Sequence, residues 1–149
     1  MFKLSATQKK LQATASEFAK NKLALNAAEI DRSEQYPWDN VDLLTKQGYM
    51  GMTIPQEYGG SGMSYLDAVL VIEEIAKACG VSARIVVEAN MGAVEAVMKF
   101  GSEVQKKLVA EHVLSGDKPA ICITEPGAGS AATEMSTRAD RIGDSYIIN

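Results

Sequence analysis

Residues 121–130 read Ile-Cys-Ile-Thr-Glu-Pro-Gly-Ala-Gly-Ser, and the chain changes character there. Upstream, nearly every segment has helical periodicity; downstream, apolar and polar residues alternate as in strands. The stretch itself is an apolar run, a Thr-Glu-Pro corner and a glycine loop closed by serine. Glycine lets backbone approach a ligand closely because no Cβ stands in the way. Successive backbone N–H groups in such a loop can form an anion-holding nest. The combination suits one wall of a site for a flat, phosphate-bearing cofactor.

Outward toward the N-terminus, five helices are expected. Ser5-Ala6-Thr7-Gln8 is a capping box, and Leu11, Ala15, Phe18 and Leu25 place one apolar face on a helix running to about Ile30. Met1-Phe2-Lys3-Leu4 leads straight into it, with no signal-peptide pattern. Pro37 fits the first turn of a second helix with Trp38, Val41, Leu43 and Leu44 on its apolar side, ended by Gly48. Residues 50–55 read as extended because Thr53 and Ile54 favour strands and Pro55 bars a helix before it. The Tyr58-Gly59-Gly60-Ser61-Gly62 loop lacks the lysine and preceding strand of a P-loop and reads as a connector.

Ser64-Tyr65-Leu66-Asp67 caps a third helix to about Cys79, apolar nearly all round until Glu73, Glu74 and Lys77 and so central and buried, with Gly80 as a left-handed C-terminal cap. Glu73 and Glu74 point about 100° apart on a helix and read as ion-pair residues rather than a catalytic pair. A fourth helix is expected over residues 82–100, with Arg84–Glu88 and Glu95–Lys99 spaced for ion pairs. Gly92 in its middle costs about 1 kcal/mol against alanine, which implies close packing there. Ser102-Glu103-Val104-Gln105 opens a fifth helix to about Leu114, with His112, the one histidine, near its solvated C-terminal end.

Outward toward the C-terminus, strands are expected over residues 119–124, 133–140 and 145–149, with a turn at Arg141-Ile142-Gly143-Asp144. The last is apolar and leaves an open sheet edge. The reading is mainly α: an N-terminal helical domain, residues 1–117, then the first strands of an antiparallel β domain, residues 118–149, within an N-terminal piece of a longer protein.

Bulk properties narrow the function classes. The chain has 149 residues, is 46% hydrophobic and 23% charged, and carries a formal net charge of −4, which fits one globular unit and speaks against nucleic acid as a partner. Cys79 and Cys122 make neither a disulfide framework nor a zinc pattern; both read as small buried hydrophobes in a reducing, cytoplasmic setting. No apolar run reaches the roughly 20 residues of a membrane span.

Five helices followed by Ile123-Thr124-Glu125-Pro126-Gly127-Ala128-Gly129-Ser130 resemble the acyl-CoA dehydrogenase family. Three further segments carry the resemblance: residues 48–62, Val71-Ile72-Glu73-Glu74-Ile75-Ala76, and Phe100-Gly101-Ser102-Glu103-Val104-Gln105-Lys106. The resemblance implies FAD as cofactor, an acyl-CoA substrate oxidised to the 2,3-enoyl-CoA, an electron-transfer flavoprotein as acceptor, and a homotetramer when full length. It implies that Ile121, Cys122, Ile123, Thr124, Gly129 and Ser130 border the flavin. Ile123 and Thr124 would bond its ring, and Ser130 would contact phosphate and the thioester. It implies that Glu88, Met91 and Gly92 line the acyl pocket. A flavin that accepts hydride wants hydrogen-bond donors at its pyrimidine edge, where negative charge develops.

The family usually has aspartate after the motif's serine; here Ala131 follows Ser130. Residues 33–41, 116–120 and 129–135 look most like a branch that includes the 3-sulfinopropanoyl-CoA desulfinases, which bind FAD and a CoA thioester, cleave a carbon–sulfur bond and lack the usual catalytic glutamate. That lyase is the alternative activity on the same fold, and a non-catalytic helical interaction module is the alternative class. The family's base glutamate lies in the C-terminal bundle, so no residue here is assigned a catalytic role.

Overall fold

The computed structural model describes residues 3–149; Met1 and Phe2, read as leading into the first helix, lie outside the described residues. Helix α1, Ala6–Phe18, begins where Ser5 Oγ accepts from the Gln8 amide at 3.1 Å and Gln8 Oε1 accepts from the Ser5 amide at 3.0 Å. Instead of running on to residue 30, the chain widens into a π-turn over Ala19–Leu23, with the Ala24 amide bonded to the Ala19 carbonyl at 2.9 Å. One extra residue in a turn rotates the next segment by about 100°. Ala15, Ala19 and Leu23 stay buried, but Leu25, expected on the same face, is 81% exposed. Helix α2, Ala27–Ser33, then starts afresh.

Helix α3, Trp38–Lys46, has Pro37 at its cap rather than in its first turn. Val41 and Leu44 face the core, whereas Trp38 lies outside it, edge-on to Tyr36 with centroids 4.7 Å apart. Gly48, at φ +76°, ends α3 in a Schellman motif: its amide bonds Thr45 O, and the Tyr49 amide bonds Leu44 O at 2.9 Å. Residues 50–55 are turns, not the extended segment expected, because Gly51 takes φ +73° and the Ile54 amide folds back to Gly51 O. Met50, Met52 and Ile54 still enter the core. The glycine loop after them packs flat: a Cβ on Gly60 would lie 2.1 Å from Ile54 O.

Helix α4, Tyr65–Ala76, is capped by Ser64 and Asp67 as the sequence implies. It packs between α1 and α5 through Ala68, Val71 and Ile75. Leu66 and Val69 are half exposed, so α4 buries one face rather than its whole circumference. Gly80 does not end it in a left-handed cap; Cys79 caps the next helix, α5, Gly80–Glu88, and Gly80 begins it. Helices α6, Ala93–Phe100, and α7, Glu103–Leu114, follow, with the Ser102–Gln105 capping box between them. The expected five helices are therefore seven among the described residues, because the first and fourth are each broken.

Beyond α7 the chain is mostly exposed. Residues 119–124 form no strand: their backbone groups have no hydrogen-bond partner among the described residues. Cys122 is exposed there, contrary to the buried position expected, while Cys79 is buried. The strand expected over residues 133–140 is a 3-10 turn, Ala132–Glu134, followed by strand β1, Ala139–Ile142. Strand β2, Ser145–Ile148, pairs with β1 antiparallel, Ile142 opposite Ser145 and Ala139 opposite Ile148, around Gly143 at φ +61°. Among the described residues no helix is long and apolar enough to cross a membrane.

Candidate functional site

The break between α5 and α6 organises the site. Asn90, fully buried, donates from Nδ2 to Tyr49 O at 2.9 Å and to Val86 O at 2.8 Å, and its Oδ1 accepts from the Thr53 amide at 3.2 Å. Thr53 Oγ1 donates to the Asn90 carbonyl at 2.6 Å. A buried amide with every polar atom bonded fixes a backbone path firmly, because unmaking any bond leaves a buried group unsatisfied. Two residues on, Gly92 adopts φ +61°, ψ −109°. A Cβ there would meet nothing within 4 Å. The close packing expected from a mid-helix glycine is therefore absent; the conformation itself demands glycine.

That bend opens a cavity of about 350 Å³ lined by Arg84, Val87, Glu88, Met91, Gly92 and Ala93 on one side and Lys118, Pro119, Ala120 and Ile121 on the other. Glu88, Met91, Gly92 and Ile121 are thus brought together from two distant segments. Glu88 divides its carboxylate between two cations. Oε1 accepts from Arg84 Nε at 2.8 Å, and Oε2 lies 2.7 Å from Lys118 Nζ. Burial pushes the Glu88 carboxyl up, but Lys118 and Arg84 together outweigh it and hold it below its ordinary range. The bond to Glu88 raises Lys118 against its own partial burial. Two cationic side chains face one carboxylate, so the cavity wall carries one net positive charge. Arg84 is held through Nε alone; its two terminal nitrogens meet no acceptor among the described residues.

Lys118 also lies 5.4 Å from the Tyr36 ring centroid, and its amide is fixed by Asp117 Oδ1 at 2.8 Å. The sequence marks residues 116–120 only for their resemblance to one branch, and Arg84 only as the helical partner of Glu88. Neither Asn90 nor Thr53 carries a local signal, because their pairing spans 37 residues of chain.

Cys122, Ile123, Thr124, Gly129 and Ser130 lie on exposed chain outside the cavity. Neither Gly127 nor Gly129 has a positive φ, so the alternating conformation of a nest is not formed. Glu125-Pro126-Gly127-Ala128 instead closes as a turn with reciprocal bonds, Glu125 N to Ala128 O at 3.2 Å and Ala128 N to Glu125 O at 3.1 Å. The Glu125 side chain ties this turn to the segment before β1. Oε1 accepts from the amide and hydroxyl of Ser136, and Oε2 accepts from the amide and hydroxyl of Thr137. Those bonds, the Thr137 hydroxyl foremost, hold its pKa down to about 2. A Cβ on Gly127 or Gly129 would meet nothing within 4 Å, which leaves that backbone open to approach.

The arrangement has known counterparts. The model of the acyl-CoA dehydrogenase N-terminal domain matches residues 5–117. The chain is 60% identical over 149 residues to a 3-sulfinopropanoyl-CoA desulfinase of Variovorax paradoxus and 61% identical to one of Cupriavidus necator, in each case along the whole chain. It spans 37% and 38% of the length of those two relatives. Its fold matches a solved glutaryl-coenzyme A dehydrogenase in complex with glutaryl-CoA at a TM-score of 0.89 and 31% identity, over 100% of this chain and 39% of that one. The chain belongs to the acyl-CoA dehydrogenase family, whose N-terminal domain it carries over residues 5–117.

Proposed function

We propose that this chain is the N-terminal part of an enzyme that acts on an acyl-CoA thioester with an anionic acyl end, of the 3-sulfinopropanoyl-CoA desulfinase type. The carrying observation is the charge on the cavity between α5 and residues 118–121. Glu88 neutralises one of two cations and leaves Arg84 with free donors. Arg84, 68% exposed at the cavity mouth, would offer those terminal donors to a sulfinate by charge-assisted hydrogen bonds. Met91, Gly92 and Ala93 supply the uncharged wall against which a short acyl chain would lie. The 60% identity to a protein of that name supports the same reading.

The residues present fit one end of a FAD site, the ring edge, whereas the glycine loop is not preformed for its phosphates. The unpartnered backbone N–H groups of Ile123 and Thr124, with the Thr124 hydroxyl, would hold the flavin ring. Ile121 and Cys122 would border it, and Gly129 and Ser130 would face its phosphates. When bound, the flavin would supply an electron-accepting ring. Ser130 would also meet the CoA thioester. Residues 118–149 would be the start of a β domain, and the full-length protein would assemble as a homotetramer.

The second reading is an acyl-CoA dehydrogenase passing electrons to an electron-transfer flavoprotein, favoured by the fold match to glutaryl-coenzyme A dehydrogenase. Full-length protein supplied with 3-sulfinopropanoyl-CoA separates the two. The proposal expects sulfite release with no reduction of an added electron acceptor. Acceptor reduction with acyl-CoA thioesters and no sulfite would favour the dehydrogenase.

A further inference from the structure

We infer that Lys118 is a specificity-determining residue that acts through Glu88 to keep the Arg84 guanidinium free for an anionic acyl end; this rests on the reading of the cavity above. Arg84 and Glu88 stand four apart on α5, a spacing at which they meet whatever else is present. An arginine fork prefers to engage a carboxylate through two parallel bonds. Here it does not, because the second carboxylate oxygen belongs to Lys118 at 2.7 Å. Lys118 comes from a different part of the chain and is positioned from three directions. Its amide is bonded to Asp117, its ammonium faces the Tyr36 ring, and its side chain is only 22% exposed. Glu88 therefore shares one negative charge between Lys118 and Arg84, and the trio keeps one net positive charge with the Arg84 terminal nitrogens unoccupied.

Removing Lys118 returns both oxygens of Glu88 to Arg84. The wall then carries no net charge, and the donors meant for the ligand are taken up. Removing Lys118 and the Glu88 charge together restores the single positive charge. The pair is thus a device for tuning Arg84, and its effect falls on charged substrates and not on neutral ones.

The test uses full-length, flavin-loaded protein and measures Kd for 3-sulfinopropanoyl-CoA and for uncharged butanoyl-CoA, by calorimetry or by change in flavin absorbance. Lys118→Met is expected to weaken binding of the sulfinate thioester by about tenfold, the loss of one charge-assisted hydrogen bond. Butanoyl-CoA binding stays within about twofold of the parent, a small fraction of the tenfold step that 1.4 kcal/mol makes. The double variant Glu88→Gln/Lys118→Met recovers most of the discrimination, and Lys118→Arg keeps it, which guards against a merely misfolded single variant. Unchanged discrimination in Lys118→Met, or a double variant no better than the single, overturns the inference. Arg84→Met is measured alongside. If it abolishes discrimination while Lys118→Met does not, only the role of Lys118 fails; if it too changes nothing, the reading of the cavity fails with it.

Discussion

The helical body and the chain after it treat the same kinds of group in opposite ways. In residues 6–114, apolar side chains such as Leu44, Met52, Ile75 and Val86 are fully enclosed, and the buried amides of Asn40 and Asn90 find partners inside the body. After residue 118, Ile121, Ile123, Ile147 and Ile148 stand at least 48% exposed, and the backbone of residues 119–124 bonds to nothing among the described residues. The enclosed core lies in the first region, and exposed apolar side chains and unpaired backbone lie in the second. The candidate site forms at their seam, where Lys118 reaches Glu88, so a rigid wall from the body faces chain whose donors are still available.

The sharpest way to break that contrast is to delete the same atoms on both sides. Ile75→Ala, in the body, is expected to cost about 2–5 kcal/mol through loss of burial plus the cavity left behind. Ile147→Ala, in β2, is expected to change stability by no more than about 0.5 kcal/mol. Urea unfolding of both variants measures the difference; similar costs would show that the hairpin is part of the same cooperative unit. Next in size is Asn90→Ala, which strands buried backbone groups of Tyr49, Val86 and Thr53. A loss of about 3 kcal/mol is expected, at 1–3 kcal/mol for each group left unpaired. Thermal unfolding reads it directly.

Gly92→Ala tests the bend by the sign of its effect. A glycine inside a continuous helix would give about 1 kcal/mol of stabilisation on replacement by alanine. At the observed positive φ, the substitution is expected to destabilise by about 1–3 kcal/mol. An increase in melting temperature would restore the unbroken helix. The smallest effect concerns pH. The Glu125 carboxyl has its pKa held at about 2 in the folded chain against an ordinary 4.5, so its bonds contribute fully above 4.5 and are lost as pH falls toward 2. Amide resonances of Ser136 and Thr137, followed by NMR down that range, should shift together with an apparent pKa near 2. A midpoint at an unshifted 4.5 would mean that the tie between the two turns does not hold in solution.

Local chemistry explains which parts were legible in the sequence. Three capping boxes, at Ser5, Ser64 and Ser102, are written within four residues each and form where the pattern puts them. The Gly48 stop and the β1–β2 turn are equally local. The two helix breaks were not legible, because their causes are distant. Asn90 breaks its helix through Thr53 and Tyr49, and the π-turn serves the packing of Ala19 and Leu23 on the body. The strand expected at residues 119–124 shows the converse limit. Its composition favours a strand, but a strand exists only with a paired neighbour. At the site, the stretch around Ile121 and the neighbourhood of Glu88 were implied only by resemblance, and of the motif residues Ile121 alone lines the cavity. The convergence of Lys118 on Glu88 is tertiary and carries no sequence signature.

The most direct test of the central claim is the ratio of kcat/KM for 3-sulfinopropanoyl-CoA to the binding constant for uncharged butanoyl-CoA, in full-length protein with and without Arg84→Met. With the proposed desulfinase activity, sulfite release is expected to fall by about tenfold or more on Arg84→Met, the value of a charge-assisted hydrogen bond, with butanoyl-CoA binding nearly unchanged. Equal losses for both ligands, or none for either, would contradict a cavity built for an anionic acyl end.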